Sequence, residues 1–182
     1  ILSTIKNKKS MRKTVFLLAS LFVMVLTTQR VNAEGPASAS ATANATATII
    51  TPISITNVAD LNFGNIVAGT GAGTVTVATT GTRTSTGDVI LPSATLGTVN
   101  AAEFTVTGLA DATYAITLPT SIDISETGGT TMTVDNFTSN PSGTGTLAGG
   151  TQTLSVGARL NVGAGQVAGD YTGEFSVTVA YN

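Results

Sequence analysis

From Ala37 to Ile55 the chain reads Ala-Ser-Ala-Ser-Ala-Thr-Ala-Asn-Ala-Thr-Ala-Thr-Ile-Ile-Thr-Pro-Ile-Ser-Ile. Every odd position from Ala37 to Ala47 is alanine, and Ile49, Ile53 and Ile55 continue the same parity. The even positions are mostly Ser, Thr and Asn. Successive side chains of an extended chain point to opposite faces, so period two over this length predicts β structure and excludes an amphipathic helix. At ~3.3 Å per residue the run would reach ~60 Å, about three times an ordinary strand of ~5–6 residues. No small domain holds such a strand internally. Two arrangements remain: part of the run is an unstructured leader, or part of it reaches into a neighbouring molecule.

What precedes this run reads as an export signal. The chain opens on Ile1, and residues 1–10 read as upstream excess. Met11 is followed by Arg12 and Lys13, then by an apolar run from Val15 to Leu26, then by Val31-Asn32-Ala33. A positive, an apolar and a small-residue segment in this order are the parts of a cleaved signal peptide, so residues 11–33 are assigned to one. The apolar run is shorter than the ~20 residues a membrane span needs. The expectation is therefore a secreted or cell-surface protein with no membrane insertion after cleavage. Removing residues 1–33 leaves 149 residues, enough for one domain with its own core.

Cleavage changes the charge. Only Arg83 and Arg159 remain against ten acidic residues, a net charge of −8, and no lysine is left. That balance argues against nucleic-acid and anionic-lipid partners and favours repulsion between free subunits. With no cysteine, the exported chain has no disulfides to lean on. With no histidine or cysteine it has no His-based triad, no Cys nucleophile and no usual zinc set. The close pairs Asp123/Glu126 and Asp170/Glu174 read as solvated charges at strand ends. No EF-hand spacing occurs. No enzyme, metal or cofactor is expected. Asn44-Ala45-Thr46 and Asn136-Phe137-Thr138 fit the N-glycosylation pattern, which is common by chance.

The remainder predicts short strands separated by turns. Pro52, which lacks an N–H, divides the opening run, giving an extension over residues 34–46 and a first strand near 47–57 within a folded domain of residues 47–182. Ala68–Gly73 reads as a glycine loop, Thr74–Ala78 as a strand, and Thr79–Asp88 as a polar connection carrying Arg83. Strands are expected at Val89–Leu91, Phe104–Thr107, Tyr114–Leu118, Ile122–Ile124 and Thr131–Phe137. In the last of these Met132, Val134 and Asn136 share one parity. Leu154, Val156, Ala158, Leu160 and Val162 form one apolar stripe, and Gly163–Gly169 a glycine loop. The clearest strand is the last, with Tyr171, Gly173, Phe175, Val177, Val179 and Tyr181 on one face. Phe63, Phe104 and Phe175 are expected in the core. Tyr114 and Tyr171 could stack on sugars, although half-buried core is commoner for strand tyrosines. No apolar period of 3.6 occurs after residue 33. The pattern predicts an all-β, immunoglobulin-like β-sandwich.

The two ends of the chain carry a family likeness. Ala47-Thr48-Ile49-Ile50-Thr51-Pro52-Ile53-Ser54-Ile55, followed by Leu61-Asn62-Phe63-Gly64, resembles the start of spore coat protein U-like domains and archaic chaperone–usher pilins. The closing strand resembles a pilin C-terminus, with Tyr181 penultimate and Gly169 fourteenth from the end. Many archaic pilins carry a disulfide near the first strand, and this chain has none. The resemblance implies a sandwich that lacks one strand and is completed by a donor strand from a neighbouring subunit. It also implies a periplasmic chaperone and an outer-membrane usher as partners. The donor would be Ala37, Ala39, Ala41, Ala43, Ala45 and Ala47. The acceptor groove would be lined by Phe175, Val177, Val179 and Tyr181. The function expected is a homopolymeric extracellular filament of the pilus type. The alternative is a monomeric secreted carbohydrate-binding or adhesive β-sandwich module.

Overall fold

The computed structural model describes residues 38–93 and 97–182; residues 1–37, which include the segments expected to be upstream excess and signal peptide, lie outside them. The chain divides between Ala47 and Thr48. In the first part, Ser38–Ala47 carries no regular structure and every side chain is exposed. The second part is all-β, built from two antiparallel sheets as a β-sandwich.

The strands are β1 (Ser54–Ala59), β2 (Val67–Val77), β3 (Arg83–Ile90), β4 (Ala102–Thr107), β5 (Thr113–Thr117), β6 (Ser121–Ser125), β7 (Thr131–Asn140), β8 (Thr144–Thr146), β9 (Thr151–Val162) and β10 (Thr178–Tyr181). Strand β9 is the axis of the larger sheet. Its first half pairs with β4 and its second half with β2. Ser155, Val156, Arg159 and Leu160 also pair with β7. A strand has two edges, so β4 and β2 lie end to end along one edge of β9 and β7 lies along the other. Outside these, β1 adds to β4, β3 to β2, and β6 to β7. The smaller sheet has the order β10-β5-β8.

The apolar stripe of β9 decides where the core sits. Leu154, Val156, Ala158, Leu160 and Val162 are all buried. Leu154 and Val156 belong to one cluster with Ala102, Val106, Tyr114 and Leu147, beneath the smaller sheet. Ala158, Leu160 and Val162 belong to a second with Val75, Val89, Met132 and Val134. Strandless chain covers that second cluster: Leu61, Phe63, Ile66, Leu91 and Tyr171 pack on it. Tyr114 is fully buried, which settles it as core. Its hydroxyl donates to Gln152 Oε1 at 2.9 Å, so the polar tip is satisfied. Burial pushes its phenol up from its ordinary value.

Several sequence expectations need correction. The first strand begins at Ser54, not near residue 47; Pro52 cannot donate to a ladder, and Thr48–Ile53 stays outside the sheets. The glycine run Ala68–Gly73 is not a loop but part of β2, with its register against β3 broken between Ala68 and Gly73. Asp88 holds that irregular stretch by accepting the Gly71 N–H at 2.8 Å. Thr79–Asp88 is mostly strand: β3 starts at Arg83, whose guanidinium donates to the Phe63 and Asn65 carbonyls at 2.6 and 3.1 Å. In β7, Asn136 leaves the apolar face by taking φ of 49° at a register shift, and Phe137 packs inward instead.

The last strand is the largest correction. Only Thr178–Tyr181 forms a ladder, against β5, while Thr172 makes an isolated bridge to Ser125. Five residues (173–177) then face seven (118–124), and Pro119 lacks an N–H, so a regular ladder cannot continue between the two anchors. The alternation of burial nevertheless persists through Phe175, Val177, Val179 and Tyr181. Gly173 permits the close approach: a Cβ there would lie 2.8 Å from the Asp123 carbonyl oxygen and 2.9 Å from Ile124 Cγ2.

Leu154 has no exposed surface. Leu154→Ala is expected to lower the unfolding free energy by about 2–5 kcal/mol, the usual range for a buried leucine. Urea denaturation followed by far-UV circular dichroism measures this, and a change below about 1 kcal/mol contradicts the core assignment.

Candidate functional site: an open groove between the sheets

Among the described residues five strands have one partner and one free edge: β1, β3 and β6 in the larger sheet, β8 and β10 in the smaller. Among the described residues β1 pairs only with β4, and β10 pairs only with β5. They belong to different sheets, and a direct bond links their ends. The Tyr181 hydroxyl donates to the Thr51 carbonyl at 2.9 Å and accepts the Leu109 N–H at 2.6 Å. Thr51 lies three residues ahead of Ser54, the first residue of β1, and Tyr181 is the last residue of β10. The chain ahead of β1 and the end of β10 therefore meet, and the space between the two edges is the candidate groove.

Apolar side chains line it. Ile53 and Ile55 from the β1 side, and Phe175, Val177, Val179 and Tyr181 from the other, pack on the same core as Leu154 and Val156. None of the six is fully covered, whereas Val106, Tyr114, Leu147, Leu154 and Val156 beneath them have no exposed surface. Phe175 sits in a ring cluster, edge-on to Phe104 at 6.3 Å between centroids and tilted on Phe137 at 5.1 Å. Those separations are the favoured range for aromatic pairs. Glycine allows the closed end: a Cβ on Gly108 would collide with the Tyr181 hydroxyl.

The predicted lining residues Phe175, Val177, Val179 and Tyr181 all pack, half-buried, on the cluster that also takes Ile53 and Ile55. The predicted extension residues Ala39, Ala41, Ala43, Ala45 and Ala47 are exposed and strandless, and Ala37 lies outside the described residues. Gly169 is exposed in the loop ahead of the last segment, with its Cα region beside Glu126 rather than at the groove. Sequence reasoning missed Ile53, Phe104 and Thr51 as parts of the site. Ile53 was legible from its parity with Ile55. The Thr51 carbonyl was not legible, because any residue supplies one.

The resolved charge interactions belong to turns and to the larger sheet. Arg159 pairs with Asp135 in a two-pronged contact at 2.8 and 3.1 Å between β9 and β7. The hydrogen bond from Arg159 holds the Asp135 carboxyl below the usual range. Asp88 is lowered chiefly by the Gly71 N–H, and Glu126 chiefly by the Gly128 N–H. A shallow polar recess of about 370 Å³ lies elsewhere, lined by Ala59, Thr79, Gly81, Asn100, Glu103 and Ser155 among others. Among the described residues no three His, Cys, Asp or Glu side chains converge as metal ligands.

A protein-family model matches residues 53–181, from the residue before β1 to the last residue of β10. The chain belongs to the DUF4402 family. That family is described as a domain of unknown function. Its boundaries coincide with the folded part and leave the alanine repeat outside. No curated protein and no solved structure matches the chain.

Two outcomes follow for this DUF4402 domain. Tyr181→Phe keeps the ring but removes both hydrogen bonds at the closed end, and should lower the thermal midpoint through a loss of about 1–2 kcal/mol. An unchanged midpoint would show that the bonds add nothing. Because the three shifted carboxyls are depressed in the folded state, the stability they contribute is present above the ordinary carboxylate range and lost as pH falls through their folded values. Urea midpoints should hold between about pH 8 and 5 and decline below about pH 4. Asp135→Asn should remove part of that decline.

Proposed function

We propose that this chain is the structural subunit of an extracellular filament assembled by strand exchange. The 37–47 segment of one copy fills the groove between β1 and β10 of the next. One observation carries the reading: two free strand edges from opposite sheets flank a single apolar opening, pinned together at one end through Tyr181 and Thr51. A groove of this kind offers main-chain donors and acceptors along its walls and apolar contacts at its floor, which is what β-augmentation uses. Left open, it is an aggregation hazard.

The occupant has the required parity. Alternate alanines present one small apolar face, and the polar residues between them face away. No charge occurs from Ala37 to Ala47, so the −8 that separates free subunits does not oppose insertion. Donation between molecules is favoured over self-capping by the direction of the chain. The run into β1 passes Thr51, at the closed end of its own groove. To fill that groove itself, the chain must reverse within Ile49–Ile53, where Pro52 is rigid and Tyr181 already holds the Thr51 carbonyl. Head-to-tail donation that does not close generates a filament. The resemblance of both chain ends to spore coat protein U-like domains and archaic chaperone–usher pilins supports the same reading. It brings a periplasmic chaperone that caps the groove in transit and an outer-membrane usher. Ile49 is 98% exposed and Ile50 50% exposed beside the extension, a state that assembly would relieve.

The test is an aspartate scan from 37 to 47 scored for polymer by electron microscopy. Aspartate at Ala41 or Ala43 should weaken assembly, because an unpaired charge in an apolar groove costs several kcal/mol. Aspartate at Ser40 or Thr42 should be tolerated. Val177→Asp should block assembly from the acceptor side. Odd and even positions behaving alike would overturn the assignment of the donor.

A further inference from the structure

The groove has a definite length and the proposed donor has more repeats than that length can hold. Along the β10 side the groove runs from Phe175 to Tyr181, seven residues or ~20 Å. The Tyr181–Thr51 bond crosses the gap at one end, so no strand can lie in the gap beyond it. On the β10 side Phe175, Val177 and Val179 present the apolar floor before that bond. A donor strand of the same length therefore places three consecutive odd residues over the floor. Ala39–Ala47 offers three such triplets, namely 39/41/43, 41/43/45 and 43/45/47.

Register in a strand pair is normally set by side chains that fit one face at one position. Here a slip of one residue turns the polar set inward and is rejected. A slip of two residues restores the same alanine face, and the outward residues Ser40, Thr42, Asn44 and Thr46 are all small and uncharged. Neither parity nor side-chain size separates the three triplets. No bulky residue interrupts the repeat before Ile49.

We infer that the joint between copies slides: the groove of one subunit accepts the neighbouring alanine repeat in several registers two residues apart. This deepens the filament reading and rests on it. Each step moves the subunits by ~6.6 Å along the donor without exposing a new kind of side chain. The surplus repeat is then a reserve of length, and the joint yields in steps under tension rather than by unfolding the sandwich.

Disulfide trapping tests this in the full chain, which has no cysteine of its own. Val179→Cys is combined in turn with cysteine at positions 39 to 47, and assembled chains are oxidised and resolved on non-reducing gels. Facing side chains on adjacent strands lie ~4.5–5.5 Å apart at Cβ, close enough for a disulfide after small adjustment. The sliding joint predicts intermolecular cross-links from at least two odd positions, with yields within about threefold of each other, and little from even positions. One odd position dominating by more than about tenfold would mean a fixed register, worth about 1.4 kcal/mol or more, and would overturn the inference while leaving strand exchange standing. Cross-links from no position, or equally from odd and even ones, would overturn strand exchange itself and the sliding joint with it. If Val179→Cys fails to fold, Val177→Cys offers the same floor one step further from Tyr181, and the pattern should move by one repeat.

Discussion

A strand at the edge of a sheet carries a row of N–H and C=O groups that must find partners or water. The structure turns on where this chain leaves such rows. In β9 both edges are taken: β4 and β2 cover one and β7 covers the other. Among the described residues β1 and β10 each keep one edge free, as do β3, β6 and β8, and the apolar side chains beside β1 and β10 pack on one core. Tyr181 ties two of these edges together, because its hydroxyl joins the chain ahead of β1 to the end of β10. It also satisfies the Leu109 N–H, so three distant segments depend on a single oxygen.

The balance of forces in the proposed joint follows from this. Alanine buries little area, and three or four of them supply only a few kcal/mol by apolar transfer. Most of the affinity must come from main-chain hydrogen bonds along both walls, which are indifferent to side-chain identity. A joint held mainly by backbone is tight in parity and loose in register. Phe175, Val177 and Val179 are half-covered, and Phe175 is already engaged with the rings of Phe104 and Phe137. The absence of cysteine leaves packing and pairing as the sources of stability.

The sequence made parts of this legible for identifiable reasons. The five-residue stripe of β9 was readable because both of its flanks are buried and nothing interrupts the alternation. The shared inward face of Phe175, Val177, Val179 and Tyr181 was readable because they keep their parity even where no ladder forms. The missing ladder was hidden, since it arises from Pro119 and a seven-against-five mismatch in a segment distant in sequence. The glycines of β2 look like a loop, but their strand is held by Asp88 from the neighbouring β3. Strand β3 itself was obscured because among its eight residues only Val89 is buried, so polar residues fill both faces of an edge strand. The Tyr181–Thr51 bond had no signal beyond the position of the tyrosine, because its acceptor is a backbone oxygen.

Backbone hydrogen exchange measures the central claim most directly. In the isolated subunit with residues 37–47 removed, amides of Ser54–Ala59 and of residues 173–181 that face the groove should exchange quickly, while those of β9 stay protected. In assembled filaments the groove amides should become protected to a degree comparable with β9, and the amides of Ala39–Ala47 should gain protection together with them. Groove amides that exchange at the same rate in isolated and assembled chains would contradict the account, because no strand would then lie between β1 and β10.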